Sequence, residues 1–106
     1  MNSEEVWIGL VEVRPLEGAH VLGSAKGAFV NIITWATSPD EYRSKAKLVL
    51  KKLRVYIVDI VRPEPVAKRR KREGDFEEQI EDIIQRVEDN PKAIIYGTFH
   101  LYEKDT

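Results

Sequence analysis

The chain has 106 residues, of which 42% are hydrophobic and 33% charged, and its formal net charge is −1. This length suits one domain with a modest core, and the composition excludes a disordered chain. Because there is no cysteine, disulfides and thiolate chemistry are excluded, which fits a cytoplasmic location. No apolar run is long enough to span a bilayer, and the acidic N-terminus does not resemble a secretory signal. We therefore expect one soluble domain over residues 1–106, with no membrane contact.

The first half of the chain predicts two strands and a helix. Residues 6–14 and 28–36 are rich in residues with high strand propensity, and the glycine-rich stretch 15–27 between them predicts a flexible loop. Gly18 and Gly23 have the spacing of a phosphate loop, but the lysine is missing and a strand follows instead of a helix. We therefore do not predict a nucleotide site there.

The first helix has a clear start. Ser38 can cap it, Pro39 suits its first position, and Glu41 stands where it can close a capping box. Its apolar positions then recur with helical spacing, at Tyr42, Ala46, Val49, Leu50 and Leu53. Residues 54–62 predict the third strand.

The second half of the chain predicts a loop, a helix and a strand. Prolines 63 and 65 end the third strand and open a flexible loop over 63–75. Asp75 predicts the cap of a second helix, with Glu78 three residues later. Its apolar stripe is Phe76, Ile80, Ile83, Ile84 and Val87. Asn90 and Pro91 end this helix, and residues 92–102 predict the fourth strand.

The element order β-β-α-β-α-β predicts an α+β fold, a two-layer sandwich that is broadly ferredoxin-like. Both helices are expected on one face of a four-stranded sheet. The middle β-α-β unit predicts a right-handed parallel crossover. The order of the strands in the sheet stays open.

Strand alternation predicts that the face without helices is apolar. We expect it to hold Phe29, Ile33, Trp35, Ile94, Tyr96 and Tyr102, with Asn31 and His100 among them. An apolar face of this kind needs a cover. Either the 15–27 loop or the chain ends fold over it, or a second copy of the chain does. The second alternative gives our first hypothesis, a non-catalytic interaction module that forms a homodimer through Asn31, Trp35, Tyr96, His100 and Tyr102.

A second hypothesis is a small-molecule-binding or enzymatic domain. Asp59 interrupts a valine and isoleucine run, where a carboxylate is costly unless it is paired. If it shares a face with His100, these two are candidate acid–base residues of a pocket that also holds Asn31 and Tyr96. A structural ion pair or a solvated edge position are the alternatives, and the face of Asp59 stays open. Only two histidines exist, without close ligand spacing, so we predict no metal site and no cofactor.

The third hypothesis concerns a run of five basic residues: Lys68, Arg69, Arg70, Lys71 and Arg72. Without them 12 basic side chains remain against 18 acidic ones, so the rest of the chain carries a net charge of about −6. The run can be a solvated loop, a partner for nearby acidic side chains, or a nucleic-acid contact. No aromatic residue interleaves it for base stacking. We therefore expect weak, non-specific nucleic-acid binding at most.

Overall fold

The structure is a computed structural model, and it describes residues 4–103. It contains five strands and three helices. In chain order these are β1 (Glu5–Pro15), β2 (Gly27–Ala36), α1 (Pro39–Lys52), β3 (Val55–Pro65), α2 (Val66–Glu73), α3 (Glu78–Glu88), β4 (Ile94–Tyr96) and β5 (His100–Tyr102). None of these helices is long and apolar enough to cross a membrane.

The strands form one open sheet in which every paired strand is antiparallel to its neighbour. The order is β3-β1-β2-β4, and β5 pairs with the other end of β2. β2 and β3 run in the same direction, but β1 lies between them, so α1 connects strands that are not neighbours. The fold is a small α+β domain with an antiparallel open sheet and three helices. The ferredoxin-like order that we expected is not confirmed.

The first helix forms as its sequence predicts. The Ser38 hydroxyl accepts a hydrogen bond from the Glu41 amide at 3.1 Å, and the Glu41 carboxylate accepts one from the Thr37 amide at 2.8 Å. Glu41 therefore binds the amide of Thr37, the residue before the cap, whereas a capping box uses the amide of the cap residue itself. Tyr42, Ala46 and Leu50 face the sheet and are buried.

The expectation of two helices on one face is wrong, because α1 and α3 lie on opposite faces. Val30 and Ile32 of β2 pack in the same cluster as Tyr42 of α1. Ile33, next along the strand, packs with Ile84 of α3. Neighbouring strand residues point to opposite faces. We therefore call the first face the α1 side and the second the α3 side.

The predicted fourth strand is interrupted. β4 pairs with Ile32–Thr34 and β5 pairs with Gly27–Phe29, while residues 97–99 between them form no strand. The interruption shifts the alternation of side chains. Ile95 packs on the α3 side, and His100 and Tyr102 lie opposite α3-side positions of β2. Ile94 packs on the α1 side, which corrects its predicted place on the open face.

The 15–27 connection does not cover the α3 side. Leu22 is 2% exposed and Ala25 is 5% exposed, and both belong to the α1-side core. The amide of Lys26 also donates to the carbonyl of Tyr102 at 3.0 Å. The 15–27 loop is therefore not the cover of the open face. The chain ends, which we also considered as its cover, lie partly outside the described residues.

Candidate functional site

The basic run lies in a helix, which corrects its prediction as part of a loop over 63–75. α2 begins directly after Pro65, and Gly74 follows its last residue with a φ of 86°. Two sequence signals could have found it. Alanine, lysine, arginine and glutamate all have high helix propensity, and a glycine just past the last turn is a common helix end. The run has no apolar residues at helical spacing, and for this reason the sequence pattern did not indicate a helix.

Two arginines of α2 bind one buried carboxylate. Glu64, at the end of β3, is 8% exposed. Arg72 donates to both of its oxygens, from Nη1 to Oε1 at 2.8 Å and from Nη2 to Oε2 at 2.7 Å. Arg69 donates from Nε to Oε2 at 2.7 Å and from Nη2 to the carbonyl of Arg62 at 2.7 Å. Hydrogen bonding from Arg72 is the main reason why the pKa of Glu64 falls to about 2. The Glu64 cluster, formed by these three side chains, fixes α2 against the sheet.

The third arginine of the run joins α2 to α3. Arg70 forms an ion pair with Glu81, and its guanidinium lies 5.6 Å from the centre of the Phe76 ring. The other oxygen of Glu81 accepts the amide of Phe76 at 3.0 Å. Asp75 does not cap the helix as predicted, because α3 begins at Glu78 with no side-chain cap.

The run is therefore engaged mainly within the chain. Arg69, Arg70 and Arg72 bind carboxylates, whereas Lys68 and Lys71 are exposed and have no ion pair among residues 4–103. An arginine that is already bound to a carboxylate has to give up that contact to bind a phosphate. Of the alternatives for the run, pairing with nearby acidic side chains is the one that these contacts show.

Trp35 is covered by α3. Its indole Nε1 donates to the carbonyl of Val87 at 2.7 Å, and its ring packs against the α3-side cluster. The backbone carbonyl of Trp35 accepts a hydrogen bond from Lys45 at 2.7 Å. Trp35, one of the predicted interface residues, is therefore engaged within the chain.

Part of the α3-side face remains outside both buried clusters. We call it the outer patch. It is formed by Leu10, Glu12, Phe29, Asn31, Asp59, Val61, His100 and Tyr102, whose side chains are partly or fully exposed. Four of these positions form one row across the sheet. Asp59 pairs with Glu12, Glu12 with Phe29, and Phe29 with His100. Directly paired strand residues share a face, so Asp59 and His100 point to the same side.

Tyr102 closes one end of the outer patch. Its hydroxyl donates to Glu12 at 2.6 Å and accepts from Arg14 at 3.4 Å, and its ring lies 5.7 Å from that of Phe29. The bond to Glu12 is the main cause that raises the pKa of Tyr102. The ring lies directly over Gly27, where any side chain would overlap it.

Asn31 and His100 also line a cleft of about 830 Å³ between the sheet and the α2–α3 junction. Its apolar lining includes Ile8, Ile80, Ile83 and Ile95, and charged side chains of both signs also line it, among them Arg69, Arg86 and Glu73. Tyr96 borders the cleft too. The strand partner of Tyr96, Ile32, lies in the α1-side core, however, and the Tyr96 ring lies 5.5 Å from the ring of Phe99. Strand alternation therefore turns the Tyr96 ring away from the other two residues.

Asp59 does not join that cleft. It stands in the same row as His100, but three strand spacings separate them, or about 14 Å. An acid–base pair has to meet within hydrogen-bond reach or through one water. One chain therefore does not bring these two candidates together. Asp59 accepts a hydrogen bond from the next amide, that of Ile60, at 2.9 Å. Among residues 4–103, no group of three or more potential ligand side chains is placed to hold a metal.

Comparison with protein-family models, with curated proteins and with solved structures gave no match. The function is therefore argued from the contacts of this chain alone.

Proposed function

We propose that the domain is a non-catalytic interaction module that forms a homodimer through the outer patch. The observation that carries this proposal is that α2 and α3 leave that part of the sheet outside any buried cluster. Leu10, Phe29 and Val61 supply its apolar surface. Contiguous apolar surface rimmed by polar groups is typical of protein interfaces.

The row across the sheet suits a second copy stacked face to face. In such a dimer, the two-fold axis lies between the two stacked sheets, runs parallel to the strands and passes between β1 and β2. It reverses the row, so that Asp59 of one copy lies opposite His100 of the other, and Glu12 lies opposite Phe29. A two-fold interface has to be complementary to itself. An acidic residue at one end of the row and a histidine at the other meet that condition.

The contact surface differs from the one that the sequence suggested. Trp35 was expected in the contact, but its ring is packed against α3. Substitution of Trp35 by a charged residue would unfold the α3 side and would not report on dimerisation. Asn31, His100 and Tyr102 remain in the proposed contact.

The test is the molar mass in solution, measured by size exclusion with light scattering at micromolar concentrations. We expect a dimer for the wild type and a weaker one for Phe29→Lys, by about 2 kcal/mol or roughly thirtyfold in Kd. The matched control is Leu101→Lys on β5, because Leu101 is 54% exposed and lies opposite an α1-side residue, Ala28. It should leave the mass unchanged. A monomeric wild type, or equal effects of both substitutions, contradicts the proposal.

A second candidate function is the binding of a small amphipathic ligand in the cleft. Its volume of about 830 Å³ is within the range of ligand sites, and its lining combines four isoleucines with polar and charged side chains, Asn31 and His100 among them. A fragment screen by amide and methyl chemical shifts tests it. Binders should shift Ile83 and Ile95 and lose affinity in Asn31→Ala. The exposed His20 lies outside the cleft, so His20→Ala should bind normally. Shifts scattered over the surface would contradict the site.

A further inference from the structure

β3 is a long strand at the edge of the sheet. It spans eleven residues and pairs with β1 on one side, while the structure from residue 4 to residue 103 places no strand on its other side. A free edge presents backbone donors and acceptors that can pair with another extended segment. The opposite edge of the sheet is formed by strands of only three residues, β4 and β5.

The two halves of this edge differ. In the second half, the Asp59 carboxylate already occupies the Ile60 amide, Arg62 has a φ of 48°, and the two prolines lack an amide hydrogen. These features obstruct a regular ladder. The first half, Val55–Val58, has none of them, but the pairing with β1 skips Val58, between Ile57 and Asp59, as a bulge does. Regular pairing is therefore possible mainly over Val55–Ile57.

A groove adjoins that first half. It has a volume of about 400 Å³ and lies between β3 and α1. Leu16, Leu50, Val55 and Ile57 supply its apolar lining. Val55 and Ile57 pack on the α1 side, so a segment added at the edge would direct alternate side chains toward this groove.

Three cations follow the groove along α1. Arg43, Lys47 and Lys51 are spaced four residues apart, so they share one face of the helix. Within residues 4–103, none of them has a carboxylate at ion-pair distance, unlike the arginines of α2. Like charges at this spacing destabilise a helix slightly. A partner that carries carboxylates would relieve this repulsion.

We infer that the β3–α1 groove is a docking site for an extended acidic peptide segment of another protein. The peptide would pair with Val55–Ile57 as an added antiparallel or parallel strand. Its apolar side chains would enter the groove, and its carboxylates would reach Lys47 and Lys51. Backbone pairing supplies affinity in this binding mode, and the pockets for alternate side chains supply specificity. This site is on a different surface from the proposed dimer contact.

The experiment uses the full chain and a fluorescent seven-residue peptide of valine, threonine, glutamate, threonine, valine, threonine and glutamate. The odd positions of this peptide, which would point toward the groove, carry the valines and the glutamates. Fluorescence anisotropy should detect binding. Lys51→Glu should weaken it at least tenfold. The matched control is Lys52→Glu, the next residue along, which does not line the groove. It should change the Kd less than threefold.

Two further probes decide how the peptide binds. A version with methylated alternate amides keeps charge and shape but cannot form the ladder, and its affinity should fall at least tenfold. A single-stranded oligonucleotide of equal charge should bind more weakly than the peptide. No peptide binding at millimolar concentration, equal effects of the two lysine substitutions, full binding of the methylated peptide, or tighter oligonucleotide binding would each overturn the inference. Dimer mass should be the same with and without peptide.

Discussion

The two faces of the sheet are closed by different means. On the α1 side, a helix with a strong cap buries Tyr42, and the side chains of β1 and β2 are covered almost throughout. On the α3 side, the charged Glu64 cluster holds α2, and the Arg70–Glu81 ion pair joins α2 to α3. These two helices cover only part of the sheet. The outer patch and the cleft lie on this second face. The α1-side core and the proposed contact surface therefore share the same strands, on opposite faces.

The largest expected effect tests the α1 side. Tyr42 is fully buried, and its hydroxyl donates to the Ile32 carbonyl at 2.7 Å while burial raises its pKa. Tyr42→Ala removes a large ring and leaves a cavity, so the free energy of unfolding should fall by about 3–5 kcal/mol. Urea unfolding measures it. Leu48→Ala on the same helix, at a 61% exposed site, should cost at most about 0.5 kcal/mol. A loss below about 1 kcal/mol for Tyr42→Ala would contradict the closed core.

The next effect tests the α3 side. Glu64→Gln leaves Arg69 and Arg72 without their shared carboxylate, and the free energy of unfolding at pH 7 should fall by about 2–4 kcal/mol. Glu88→Gln, at an exposed position of α3, is the control and should change it by at most about 0.5 kcal/mol. Equal effects of the two substitutions would show that the Glu64 cluster does not hold α2.

The same carboxylate sets a pH dependence. The folded pKa of Glu64, about 2, is below its ordinary value of 4.5. Its stabilising contribution is therefore complete above pH 4.5 and is lost as the pH falls toward 2. Unfolding measured at pH 5 and at pH 2.5 should show a smaller loss of stability in Glu64→Gln than in the wild type. Parallel losses in both proteins would contradict this assignment.

A smaller effect concerns Trp35, which lies in the part of the α3 side that α3 covers and not in the outer patch. Trp35→Phe keeps an aromatic ring but removes the hydrogen bond to Val87, so it should cost about 1–2 kcal/mol of stability. The dimer mass should stay the same, because the ring lies beneath α3. If the substitution dissociates the dimer at unchanged stability, Trp35 belongs to the contact after all.

The smallest effect concerns the exposed part of the basic run. Replacement of Lys68 and Lys71 by serine should leave stability unchanged within about 0.5 kcal/mol. Wild-type binding to labelled duplex should be weak, and the serine variant should reduce the magnitude of its salt slope by at most about 2, because these are the two cations of the run without an ion pair among residues 4–103. A variant with unchanged binding and an unchanged slope would contradict this role of the two lysines.

The sequence predicted the elements whose signals are local. Ser38 and Glu41 mark the start of α1, and the spacing from Ile80 to Val87 marks α3. We did not predict α2, because the basic run has no apolar residues at helical spacing, although its helix propensity and Gly74 favour a helix. The sequence also did not predict which face α3 covers. That depends on a chain path that an amphipathic pattern does not specify.

Strand alternation, which is also a local signal, predicted part of the candidate site. Alternation along β2 correctly placed Phe29 and Asn31 on one face. In the last predicted strand, residues 97–99 interrupt the alternation of side chains. Ile94 and Tyr96 therefore face the α1 side, whereas His100 faces the α3 side. Irregular pairing between β1 and β3 near Asp59 has a similar effect. Bulges shift the alternation of every residue beyond them.

The most direct test of the central claim is a charge exchange between the two ends of the row, read by sedimentation equilibrium. Asp59→Lys places a cation opposite His100 of the second copy, and His100→Glu places a carboxylate opposite Asp59. Each alone should weaken the dimer, whereas the double variant places a cation opposite a carboxylate and should recover most of the wild-type affinity. Asp59 and His100 are too far apart within one chain to compensate each other there. If the losses of the two single variants simply add in the double variant, the outer patch does not pair with itself in the way proposed.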